Sequence, residues 1–467
     1  MKLSIKRCVA IAVVILILIV GVMVHHQHTY FNRNVTVNGV DVSGLTVKQA
    51  FSKVKAAKRP NHVYLNGQLV YSGPASSSGI SATQENQLQQ LQKKQRTFFP
   101  SKKKQALILT PAHNSAERRN QLQAAVTTAL QQMNQGRQRP VDAYALLKNN
   151  HVTIIPAKAG DMYDPDDVMR QFNRQAARGT IRINAHHMHP LSASSPTVQH
   201  EKTQLQQLQK RQITYTVAGK AYHLTANQII TSATYQHGKY HLNLHKLNSS
   251  INRINRRQAT LGRSFKFKTP TGKWIKTSNK GTYGWKISKT KAQQSFAKAL
   301  KNNTSKVNAA NDIYGKGYYT GGTGYGKVAN DGIGKTYAVI SIADQHAWFY
   351  RHGKCIFDAD IVTGSNKPGD RTPHGVWYIM YKQSPSVLKG SNDDGSQYSS
   401  KVKYWSQFTN SGCGFHDAPW RTDWSKTAYL KTNSVTKGGS HGCANMKPAD
   451  APKGYQSLEV HEPVIVY

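Results

Sequence analysis

Gly439-Ser440-His441-Gly442-Cys443-Ala444-Asn445-Met446 is the stretch on which the reading turns. A cysteine after His441 and Gly442 sits where the backbone can bend sharply, because glycine reaches conformations that other residues avoid. Neighbouring N–H groups can then face a developing oxyanion. A nearby imidazole can draw the thiol proton and leave a reactive thiolate. His416 lies 27 residues upstream, in Gly414-Phe415-His416-Asp417-Ala418-Pro419-Trp420, with Asp417 beside it to orient the ring. A cysteine, a histidine and an orienting oxygen are the minimal constellation for acyl transfer. Chemistry alone leaves two other readings open. A cysteine is often a small buried hydrophobe, and Cys443, His441, His416 and Cys413 could hold zinc, although their spacing does not match usual zinc knuckles.

Around these residues the texture is that of a compact, mainly β domain. Short β-branched and aromatic runs recur at Tyr337–Ile342, Ala347–Tyr350, Ile361–Thr363, Val376–Met380, Val402–Trp405 and Val464–Tyr467, separated by turn residues. A third stretch with a distinctive pattern, Thr372-Pro373-His374-Gly375, lies inside it. Residues 306–334, rich in Gly and Tyr, read as a linker into this domain.

Further upstream the pattern changes to α+β. Val37-Asn38-Gly39-Val40 reads as a hairpin, and Thr46 as the cap of a short helix through Phe51 and Val54. Residues 76–105 are polar and read as helix or loop. A weak internal repeat follows. In one copy His151–Ile155, Gly160 and Tyr163 lead to a helix opening at Asp164-Pro165-Asp166-Asp167; in the other Lys273–Ile275 and Tyr283-Gly284-Trp285 lead to a helix capped by Ser288. Gln/Asn-rich helical stretches precede both, near 118–135 and 245–258. Two modules of similar design are the economical reading.

At the N-terminus Lys2, Lys6 and Arg7 precede an apolar run from Cys8 to Val24, long enough to span a bilayer as a helix. The positive flank places the N-terminus inside, and the absence of a small-residue cleavage site favours an uncleaved signal anchor. Lys and Arg number 63 against 22 Asp and Glu, a net charge of +41. Such a field attracts polyanions: nucleic acid, an anionic membrane face or an anionic wall polymer. An extracytoplasmic chain without an aromatic-basic stacking motif argues against nucleic acid. The four cysteines, Cys8, Cys355, Cys413 and Cys443, are too few for a disulfide scaffold. A Cys355–Cys413 bridge that leaves Cys443 as the free thiol is one hypothesis, independent thiols the other.

Ser440-His441-Gly442-Cys443, the upstream His416-Asp417-Ala418-Pro419-Trp420 and Thr372-Pro373-His374-Gly375 together resemble the L,D-transpeptidase (YkuD-type) catalytic domain over about residues 336–467. The resemblance implies a β-sandwich-like catalytic domain with Cys443 as acyl-enzyme nucleophile and His416 as base. It implies that the main-chain carbonyl of Asp417 orients the ring and that Gly442 and Cys443 supply oxyanion N–H groups. Ser440, His441 and Tyr398 would contact substrate. Asn445 stands where many members carry Arg. The reaction implied is peptidoglycan cross-linking: terminal D-Ala leaves a stem peptide, a thioester forms on Cys443, and a neighbouring amine takes the acyl group, with no metal or organic cofactor. Water as acceptor would make the protein an L,D-carboxypeptidase. A cysteine peptidase usually places its Cys before its His, the reverse of the order here, and a non-catalytic wall-binding protein is the remaining alternative. The expected organisation is a cytoplasmic tail (1–7), a transmembrane anchor (8–24), two α+β modules expected to bind peptidoglycan (25–187 and 188–305), a linker (306–335) and the catalytic domain (336–467). The protein is then a single-pass membrane protein working at the cell wall on peptidoglycan stem peptides, with anionic wall polymers as further partners.

Overall fold

The computed structural model describes residues 5–467 apart from 96, 98, 113–115, 392–394, 433 and 435. Lys2 and the start of the basic tail lie outside the described residues. The chain divides into two compact units, one of Met1–Ala143 with Pro156–Ala193 and one of Tyr144–Ile155 with Ser194–Tyr467.

The first unit begins with helix α1 (Ile5–Thr29). Within its segment Arg7–Thr29 an 18-residue stretch has a mean hydropathy of 3.1, and the helix is long and apolar enough to cross a membrane. Strands Val35–Val37 and Val40–Asp41 then pair through Asn38 and Gly39, both at positive φ, as a two-residue hairpin requires. Helix α2 (Val47–Ala56) opens on a capping box in which Thr46 and Gln49 satisfy each other's backbone N–H groups. Beyond it, hairpin Arg59–Leu65/Gln68–Ser76 is followed by helices α3 (Ala116–Asn134) and α4 (Pro165–Gln175). Strand Thr180–Ile183 then returns to pair in parallel with Arg59–Leu65.

The second unit repeats this order. Hairpin Gln212–Val217/Lys220–Thr225 precedes helices α5 (Leu247–Gln258) and α6 (Lys289–Lys301), and strand Lys306–Asn308 pairs in parallel with Gln212–Val217. A local device recurs as well. Asn134 donates to the carbonyl of Tyr163 (3.1 Å) and accepts from its N–H (2.8 Å), just before the Asp164 cap of α4. Asn255 does the same to Ile287 (3.0 and 2.8 Å), just before the Ser288 cap of α6. The strand expected at 151–155 pairs with Tyr144–Lys148, which pairs in turn with Ser232–Gln236, so this hairpin belongs to the second unit.

The C-terminal domain is a curled nine-stranded sheet. Its order is Gly375–Tyr378, Pro463–Val466, Tyr337–Ser341, His346–Arg351, Lys354–Val362, Ala444–Met446, Gly414–Asp417, Trp405–Gln407, Tyr381–Gln383. All five residues of Tyr337–Ser341 are buried. Alternation sends Ala338 and Ile340 to one core with Phe349, Phe415 and Met446, and Tyr337 and Val339 to another with Phe265, Phe267, Tyr283 and Ile333. Each fully buried Phe contributes roughly 1.5–3 kcal/mol, so residues 265–333 stabilise the sheet's second face. The segment read as a linker is therefore packed in part, at Gly322, Thr323 and Gly332–Gly334. Its glycines permit close approach: a Cβ on Gly322 would sit 2.9 Å from that of Trp285, and one on Gly324 would strike the Tyr283 hydroxyl. Composition mimicked flexibility where the physical need was space.

Candidate active site

Register assembles the site. Strand Gly414–Asp417 runs antiparallel to Trp405–Gln407 and parallel to Ala444–Met446, which sets His416 opposite both Trp405 and Asn445. Cys443 enters two residues before Asn445 and lines the same small cavity, about 90 Å³, as His416, Tyr398, Ser440 and His441. The structure thus brings the proposed nucleophile, base and substrate-contacting residues to one pocket.

The loop carrying Cys443 is held from several sides. Gly442 has φ +114°, and a Cβ there would lie 2.8 Å from the Cys413 sulfur. Thr372 of the Thr-Pro-His-Gly stretch donates its hydroxyl to the Gly442 carbonyl (2.9 Å) while accepting from the Gly364 N–H (2.9 Å). Ser440 Oγ donates to the Cys443 carbonyl (2.6 Å) and accepts from the Gly442 N–H (3.1 Å). An oxyanion using that N–H must take it from Ser440. Hairpin Ser386–Ser391/Gln397–Val402 covers the pocket and places Tyr398 over His441, their rings 5.5 Å apart and 10° from parallel.

His416 Nδ1 meets the main-chain carbonyl of Asp417 at 2.9 Å. The Asp417 carboxylate is turned away and accepts from the N–H groups of Lys403 and Tyr404 (2.8 and 2.9 Å), anchoring the end of the covering hairpin. His416 Nε2 lies 3.2 Å from Asn445 Nδ2, and Asn445 Oδ1 accepts from Arg421 Nη2 at 3.2 Å. Arg421 also donates to the Gly438 carbonyl (2.5 Å). This chain has one consistent polarity. A guanidinium only donates, so the amide oxygen faces Arg421 and the amide NH₂ faces the ring. Nε2 must then accept, and the proton sits on Nδ1, where a carbonyl can only accept. Both ends of the chain fix the same tautomer.

Burial governs the charges. His416 is 3% exposed, with Trp405 and Trp420 rings each 5.8 Å from its own. Loss of water drives its pKa down to about 4, against the pull of the Asp417 carbonyl. Burial likewise pushes the Cys443 thiol up to about 12, with the neighbouring Cys413 adding to the rise. The resting pair is therefore a neutral imidazole and a thiol, and the Cys443 sulfur rests 3.7 Å from the Gly412 carbonyl. Cys355 and Cys413 are free thiols, one exposed and one buried, so the bridge considered between them is not formed.

Sequence reasoning missed Arg421. It is 5% exposed, and desolvation lowers it to about 10. Its only signal in the sequence is its place directly after His-Asp-Ala-Pro-Trp, a charge inside an aromatic stretch.

One pocket thus holds a cysteine, a histidine whose Nε2 is fixed as the acceptor and a covering hairpin. Residues 335–466 match the YkuD family, described as the L,D-transpeptidase catalytic domain, and this C-terminal domain belongs to that family. The chain is 27% identical over 114 residues to the probable L,D-transpeptidase 3 of Mycobacterium tuberculosis, a match that spans 23% of this chain and 39% of that relative. Among solved structures it is similar to a Cys-to-Ser variant of the Enterococcus faecium L,D-transpeptidase (25% identity, 57% of this chain, 98% of that one, TM-score 0.44). It is also similar to the catalytic domain of an E. faecium L,D-transpeptidase (36% identity, 28% of this chain, 96% of that one, TM-score 0.24).

Proposed function

We propose that this chain is an L,D-transpeptidase that cross-links peptidoglycan stem peptides through a thioester on Cys443. The observation that carries the proposal is the tautomer lock, which leaves His416 Nε2 as a base in the cavity that Cys443 lines. When a tetrapeptide stem enters, Asn445 yields Nε2, which takes the Cys443 proton. The sulfur attacks the carbonyl between the third residue and the terminal D-Ala. The N–H groups of Gly442 and Cys443 receive the oxyanion. Nε2–H then protonates the departing D-Ala amine, leaving the thioester. An amine of a neighbouring stem attacks, its proton passes to Nε2, and the sulfur leaves to recover its proton. Keeping both groups neutral until substrate arrives protects the thiol, because the thiolate is the reactive species. Ser440 holds the nucleophile loop, and His441 and Tyr398 form the wall facing the stem.

Helix α1 anchors the chain with its N-terminus inside and the rest at the wall, and the two upstream modules bind peptidoglycan or set the reach of the catalytic domain. Mass spectrometry of a tetrapeptide muropeptide incubated with the full chain, beside Cys443→Ala, tests the reading. Dimers lacking one D-Ala, formed only with Cys443, are expected. Loss of D-Ala without dimers would make the protein an L,D-carboxypeptidase; no product from folded protein with several stem types would leave a wall-binding protein.

A further inference from the structure

The two helix pairs that carry the Asn134 and Asn255 devices each leave a cleft beside the start of the second helix, and the two clefts differ in chemistry. At α3 and α4 the lining includes Leu130, Met162, Pro165 and Met169. The first turn of α4 is acidic, with Asp164 as cap followed by Asp166 and Asp167. These carboxylates answer the positive end of the helix dipole from within. At α5 and α6 the corresponding cleft, about 770 Å³, is lined by Arg256, Arg257, Arg263, Lys286 and Lys289, and among the described residues by no acidic one. Arg263 is paired with Asp331 (3.1 Å). Arg256, Arg257, Lys286 and Lys289 have no ion pair among the described residues. The first turn of α6 has no acidic residue, and Lys289 and Lys291 stand there instead. Cations at a helix N-terminus oppose the dipole, so this end is arranged against its own stability.

We propose that the α5–α6 cleft binds an anionic polymer of repeating phosphodiesters, of the kind threaded through a cell wall. Four uncompensated cations and a helix end supply donors for several phosphates at once. A cleft of 770 Å³ exceeds the need of one phosphate and suits a segment of chain. Among the described residues Tyr314 is the single aromatic one lining it, which provides no run of stacking surfaces for nucleobases. The choice of a wall polymer rests on the wall location proposed above for the enzyme. The site also separates two tasks, holding the chain in the wall and reacting with stem peptides.

The test measures binding of labelled poly(glycerol phosphate) to the full chain in detergent micelles. One variant combines Arg256→Gln, Lys286→Gln and Lys289→Gln. A control combines Lys102→Gln, Lys103→Gln and Lys104→Gln, removing the same charge from an exposed segment elsewhere. The cleft variant should bind at least about tenfold more weakly and the control less than about twofold, because only localised phosphate contacts depend on position. Equal weakening in both would overturn the site in favour of diffuse surface charge. Displacement by inorganic phosphate at equal phosphorus concentration would overturn the polymer. Should the triple variant fail to fold, Lys289→Glu alone is expected to weaken binding about threefold or more, and unchanged binding would refute the proposal. Transpeptidation is read in a separate muropeptide assay, so failure of the enzyme reading would not be mistaken for failure of the cleft.

Discussion

The catalytic pocket and the α5–α6 cleft solve opposite electrostatic problems. In the pocket a chain of hydrogen bonds from the Asp417 carbonyl through His416 and Asn445 to Arg421 fixes one tautomer, and burial makes the two reactive groups neutral, His416 down to about 4 and Cys443 up to about 12. In the cleft four cations face water without a carboxylate. Chemistry that depends on where one proton sits gains from exclusion of water, which strengthens each hydrogen bond. Recognition of a flexible polyanion gains from open, unpaired charge. The two sites should therefore respond to different perturbations.

The largest contrast is expected from Cys443→Ala. It removes the nucleophile, so cross-linking should fall by about 10³-fold or more, while retention of the full chain on isolated walls stays as it was. The cleft variant should do the reverse. If Cys443→Ala also released the chain from walls, the acyl-enzyme itself would be the tether and the division of labour would be wrong.

Acid should separate the sites next. The folded His416 stays neutral down to about pH 4, whereas the unfolded chain takes up its proton near 6.5. Its contribution to stability is fully present above 6.5 and is lost as the pH falls through the window to 4, at up to about 1.4 kcal/mol per pH unit. Urea unfolding of the full chain at pH 7 and pH 5 should show the catalytic domain losing on the order of 2 kcal/mol more than His416→Gln does. Parallel losses in the two proteins would mean that His416 is not buried as a neutral base.

Arg421→Met probes the lock at its far end. With the guanidinium gone, the Asn445 amide can turn its oxygen toward His416, and one of the two constraints on the tautomer disappears. A loss in kcat of about 10- to 100-fold is expected, with KM little changed, the acid limb of the pH profile displaced upward, and partial recovery in Arg421→Lys. A pH profile identical in shape to that of the parent would make Arg421 a packing residue only.

These contrasts bear on what could be read before the structure. Cys443 and His416 were legible because their neighbours form short, specific patterns. The β-branched and aromatic runs at 337–342 and 347–350 and the helix starts at Thr46, Asp164 and Ser288 were legible for the same local reason. Arg421 was hidden because arginine in a sequence reads as surface, and only the burial of its guanidinium against Gly438 and Asn445 reveals its work. The cleft was hidden because its cations come from separate segments and each is one of 63. The segment 306–334 misled because glycine serves mobility and close packing alike, and the sequence does not say which.

The smallest predicted effects sharpen the comparison at the helix ends themselves. Asp164 accepts from two N–H groups, of Asp166 and Asp167, at 2.9 and 3.2 Å, whereas Ser288 accepts from Lys291 at 3.4 Å. Asp164→Ala should cost about 1 kcal/mol, through lost capping and a lost charge at the dipole, and Ser288→Ala about half of that. Neither should change cross-linking of soluble muropeptides. Poly(glycerol phosphate) adds a ligand that binds only the folded cleft, and such a ligand stabilises by mass action. It should raise the melting temperature of both variants and of the parent, but the deficit of Ser288→Ala should persist or widen, because a frayed α6 also binds the polymer less well. The deficit of Asp164→Ala should stay constant, since α4 neutralises its own end and lies in the other unit. A polymer-dependent change in the Asp164→Ala deficit equal to that of Ser288→Ala would place the anion on both helix pairs and erase the distinction between them.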